Sequence, residues 1–77
     1  MEKTKRFKIE SGAKSFIEKV VKDCLSIEKV DYELIDIVVA VRDTTLFYNN
    51  EPLGRLRIEL DYQSLELMLT FNKFRKA

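Results

Sequence analysis

Two periodicities divide this chain, and the change from one to the other predicts its fold. Residues 5–10 alternate, with Lys5, Phe7 and Ile9 on one side and Arg6, Lys8 and Glu10 on the other. That is the period-two signature of a short strand. Ser11 and Gly12 interrupt it. From Ala13 the spacing becomes three and four: Ala13, Phe16, Ile17, Val20, Val21 and Cys24 make one apolar stripe, and Ile27 prolongs it. Lys14, Glu18, Lys19, Lys22 and Asp23 fill the other faces, so an amphipathic helix is expected over about 12–27. Ser11 is a candidate N-cap, and Ser15 with Glu18 has the spacing of a capping box one turn later.

Beyond Asp31 the period returns to two. Ile35, Ile37, Val39 and Val41 share one face, and Leu34, Asp36, Val38, Ala40 and Arg42 share the other. β-branched residues dominate, which favours a strand. Asp43 and Thr44 are expected to turn the chain into a short strand at Thr45–Asn49, with Leu46 and Tyr48 opposite Phe47. Asn49, Asn50, Glu51, Pro52 and Gly54 carry strong turn chemistry. Two longer alternations follow. Leu56, Ile58, Leu60 and Tyr62 are assigned inward, against Arg55, Arg57, Glu59 and Asp61 outward. After Gln63 and Ser64, Leu65, Leu67, Leu69 and Phe71 are assigned inward, with Glu66, Met68, Thr70 and Asn72 outward.

The order is strand, helix, then four strands joined by short turns. Such a meander is antiparallel, and a lone helix buries its stripe on the leucine-rich face. The expected fold is a two-layer α+β domain of β-α-β-β-β-β order, its sheet having four to five strands. The 77 residues fit one domain, 1–77, with 45% apolar and 35% charged residues. The alternative is a shorter sheet that leaves residues 5–10 outside.

Composition narrows the chemistry. The chain has no His and one Cys, which removes most acid–base sites and thiolate–metal sites. Cys24 lies within the helical stripe and reads as a small hydrophobe rather than a nucleophile. Gly12 and Gly54 stand alone and form no phosphate-binding loop. Asp31, Glu33 and Asp36 read as a solvated approach to a strand. No catalytic residue, metal ligand or cofactor is assigned. A free thiol, a charged Met1–Glu10 segment and the lack of a long apolar run fit a cytoplasmic protein without membrane partners.

Charge changes the picture most. The formal net charge is +1, yet it is unevenly distributed. Residues 1–22 hold seven basic and three acidic residues, residues 23–66 four and ten, and residues 67–77 three and none. The acidic middle suits binding to a basic protein partner, with Glu59, Asp61, Glu66 and Asp36 as the candidate acidic surface. Val38, Phe47 and Met68, with Ala40 nearby, are the candidate apolar contact patch. The expected function is a small non-enzymatic interaction protein. By analogy of size and charge with inhibitors carried by phages and mobile elements, its partner would be a nucleic-acid-binding protein. The alternative is direct nucleic-acid binding through Lys5, Arg6, Lys8, Lys73, Arg75 and Lys76, should the two basic ends meet. The sequence leaves a homodimer open.

Overall fold

The computed structural model describes residues 3–5 and 11–75. Strand β1 spans Lys3–Lys5, helix α1 Ser11–Leu25, β2 Ile35–Val39, β3 Thr44–Tyr48, β4 Glu51–Asp61 and β5 Glu66–Lys73. All five strands form one sheet in the order β1-β2-β3-β4-β5, every neighbouring pair antiparallel. The expected two-layer α+β architecture is the one observed. Of the alternation at 5–10, Lys5 closes β1 opposite Ile37, and residues 6–10 lie outside the described residues.

Helix α1 buries Ile17 and Val21 against Ile35, Ile37, Leu46, Leu53 and Leu56 of the sheet. Phe16, Val20, Cys24 and Leu25 flank them on the helix, as the apolar stripe requires. The helix stops earlier than its stripe. Ser26 takes φ 54°, a left-handed residue that ends the helical hydrogen-bond ladder, and Ile27 joins the core from the following loop. Ser15 and Glu18 are interior to α1 rather than a capping box, since the helix already begins at Ser11.

The turns differ from expectation in instructive ways. The β2–β3 reversal uses Val41 and Arg42, closed by the Ala40 N–H donating to the Asp43 carbonyl at 2.7 Å. Val41, grouped by the alternation with Ile35 and Ile37, therefore leaves their buried face and is 82% exposed. The β3–β4 turn is only Asn49–Asn50, both at positive φ (50° and 65°), the backbone of a type I′ hairpin. Glu51, Pro52 and Gly54 consequently belong to β4 and not to a loop. A register shift between Leu46 and Phe47 lets Leu53 turn inward with Leu56, although they stand an odd three positions apart. Gly54 lies opposite Lys73 of β5, where a Cβ would sit 2.4 Å from the Asn72 carbonyl oxygen. Here the strands approach too closely for a side chain.

The long loop between α1 and β2 is tied down by polar contacts. Asp31 caps the single 3-10 turn Tyr32–Leu34 by accepting from the Glu33 N–H at 3.0 Å. Its own N–H donates to the Tyr48 hydroxyl at 3.0 Å. Tyr32 reaches back to the helix, its hydroxyl donating to the Glu18 carboxylate, while Lys14 sits 4.2 Å above the Tyr32 ring. Lys22 pairs with Glu18 at 2.8 Å.

These contacts predict a pH signature. Lys22 first, then Tyr32, holds the Glu18 carboxyl below its ordinary value, whereas the Glu18 hydrogen bond pushes Tyr32 up to about 12. The raised tyrosine contributes stability below its ordinary ionisation and loses it as pH rises through about 12. The Glu18 contribution is present above pH 4.5 and fades as pH falls through the lowered value. Ultraviolet titration should show one late tyrosine near pH 12, absent in Tyr32→Phe and displaced downward in Glu18→Gln. A late transition surviving in Tyr32→Phe would contradict the assignment.

Candidate functional site

The β4–β5 hairpin outruns the rest of the sheet. β3 pairs with β4 only as far as Thr45 opposite Arg55, whereas β4 and β5 continue together to Asp61 opposite Glu66. From Arg57 to Thr70 the chain is therefore a two-stranded ribbon, and its two faces carry different chemistry. Directly opposed residues share a face. One face carries Ile58 with Leu69 and Leu60 with Leu67; the other carries Arg57 with Thr70, Glu59 with Met68 and Asp61 with Glu66.

On the helix-facing side the cover is incomplete. Leu56 is buried, but Leu60 and Leu67 are 46% and 49% exposed, and Ile58 is also open to solvent. Gly12, Ala13 and Phe16 at the start of α1 face Leu65, Leu67 and Leu69 across an open groove of about 610 Å³. Tyr62 and Leu65, both assigned inward from the alternation, instead lie in the four-residue turn and are largely exposed. Asp61 builds that turn. Its Oδ1 accepts from the Gln63 N–H at 3.0 Å and the Ser64 N–H at 3.4 Å. The Gln63 bond, aided by Ser64, holds the Asp61 carboxyl below its ordinary value. Leu65 completes the turn at φ 58°, a conformation that disfavours a branched side chain.

Three of the four candidate acidic residues come together. Glu59, Asp61 and Glu66 share the outer face of the ribbon tip, with Arg57 paired to Glu59 at 2.8 Å. Asp36 is elsewhere, opposite Phe47 on β2–β3. The apolar patch divides in the same way. Val38 and Phe47 neighbour one another on the outer face of β2–β3. Met68 lies on β5, about 19 Å away by strand spacing and rise, with Arg55 and Arg57 between. The basic set does not merge. Lys5 and Lys73 occupy one row through Ile37, Leu46 and Gly54, at opposite edges of the sheet and about 19 Å apart. Arg75 is exposed beyond β5; Arg6, Lys8 and Lys76 lie outside the described residues.

Cys24 is half-buried beside Leu25, Leu53 and Phe74, and burial pushes its thiol up, as a packing role requires. No helix among the described residues is long and apolar enough to cross a membrane. The residues missed as surface are Ile58, Leu60, Tyr62, Leu65 and Leu67. Strand length was the available signal: the alternations at 55–62 and 65–72 each run eight residues against five for the strand before them, and one helix cannot cover both. Comparison with known proteins finds no matching family model, no similar curated protein and no similar solved structure.

A strained, 78% exposed leucine at the ribbon tip is costly to the fold. Leu65→Gly should raise stability to urea by about 0.5–1 kcal/mol, the left-handed penalty less the added chain entropy. Destabilisation on that change would show that the Leu65 side chain serves the fold.

Proposed function

We propose that this chain is a non-enzymatic binding protein and that the distal β4–β5 ribbon is its contact element. One observation carries the reading. Exposed Ile58, Leu60, Tyr62, Leu65 and Leu67 gather at the distal end of the hairpin, Leu65 and Leu67 across an open groove from the start of α1, on a ribbon whose other face bears Glu59, Asp61 and Glu66. Large apolar residues left open in one place are the usual mark of an interaction surface. The acidic face selects a partner with a basic rim, speeding encounter, while the leucines slow departure once docked. A nucleic-acid-binding protein offers such a rim, and occupying it would inhibit that protein. The separation of Lys5 from Lys73 gives less support to direct binding of DNA or RNA by the chain itself.

The two faces should act on different rate constants. With the partner captured and identified, Glu59→Lys with Glu66→Lys should lower the association rate about tenfold at low salt and matter little at high salt. Leu60→Ala with Tyr62→Ala should instead raise the dissociation rate. Asp61 is left intact because it holds the turn. Both pairs leaving binding unchanged, or tight salt-sensitive binding of nucleic acid lost on neutralising Lys73 and Arg75, would overturn the reading.

A further inference from the structure

The two edges of the sheet are built differently. β1 offers three residues among those described, and a short edge resists further pairing. β5 offers eight residues, Glu66–Lys73, with a strand neighbour on one side only among the described residues. It contains no proline or glycine, and its charges stand only at its ends. An edge of that length with an uncharged middle is a template for another strand.

We propose that β5 pairs antiparallel with β5 of a second copy, joining two five-stranded sheets across a two-fold axis at Leu69. The sequence of the strand is self-complementary in that register. Leu67 meets Phe71 of the second copy and Leu69 meets its counterpart, so the helix-facing apolar row continues across the junction. Met68 meets Thr70 on the outer face. Glu66 meets Asn72, also on the outer face. Moving the axis to Thr70 would set Leu67 against Lys73, and moving it to Met68 would leave Phe71, Asn72 and Lys73 without a partner in the second β5. The Leu69 register alone continues the apolar row with no charge in it while pairing residues 66–72 of each strand. This inference does not depend on the ribbon's having a different protein as partner.

Sedimentation equilibrium of the full chain across micromolar to millimolar concentrations tests it. The wild type should approach twice the chain mass of 9.1 kDa. Met68 and Thr70 are exposed on the outer face, so charges there leave the core intact, as circular dichroism can verify. Met68→Lys with Thr70→Lys sets lysine opposite lysine at two places and should weaken association about tenfold. Met68→Lys with Thr70→Glu sets lysine opposite glutamate in this register and should retain the dimer. A wild type that stays monomeric throughout would overturn the proposal. So would equal association by the two double variants.

Discussion

One helix has to cover one face of a five-stranded sheet, and the reach of that helix governs the rest of the molecule. Helix α1 has 15 residues and extends about 22 Å; β4 has 11 and extends about 36 Å. Where helix and sheet overlap, Ile17 and Val21 close over Ile37, Leu46 and Leu56 and a dry core results. Where the hairpin continues, the same alternation of leucines goes on half-exposed, with the start of α1 standing off across an open groove. A small domain has little apolar area to spare for stability, and the proposed contact role accounts for the several large side chains left open there.

The remaining devices place that uncovered segment. The type I′ turn at Asn49–Asn50 and the shift at Leu46/Phe47 set β4 so that Leu53 and Leu56 both face inward. Gly54 lets β5 close up beside them, which anchors the base of the hairpin in the core. Asp61 shapes the far end through two backbone N–H groups. A ribbon anchored at its base and shaped at its tip can present leucines on one face and carboxylates on the other. The proposed binding role uses both faces, the carboxylates steering approach and the leucines slowing departure.

Most of the architecture was legible in the sequence because periodicity reports which side of an element is dry. The switch near residue 31 separated helix from sheet, and Ile35, Ile37, Leu46 and Leu56 all fell on the face that proved buried. The pattern was silent on where the helix ends over the sheet. Leu60 and Leu67 therefore read as core, since alternation fixes a side chain's face and not what lies above that face. Turns were misplaced where backbone conformation outweighed composition. Pro52 and Gly54 look like loop residues, yet one opposes Phe47 beside the bulge and the other serves a close strand approach. The acidic trio was recognised from charge, but its separation from Asp36, and that of Lys5 from Lys73, required strand order.

The account rests on a division between a covered base and an uncovered ribbon, and the stability of two leucine truncations on one strand tests it directly. Leu56 and Leu60 share a face of β4 four residues apart, one buried and the other half-exposed. In urea denaturation, Leu56→Ala should cost about 2–5 kcal/mol, as truncations in a packed core do. Leu60→Ala should cost about 1 kcal/mol or less, because half its surface is already in water. A Leu60→Ala loss as large as that of Leu56→Ala would place the distal ribbon inside the core and contradict the account.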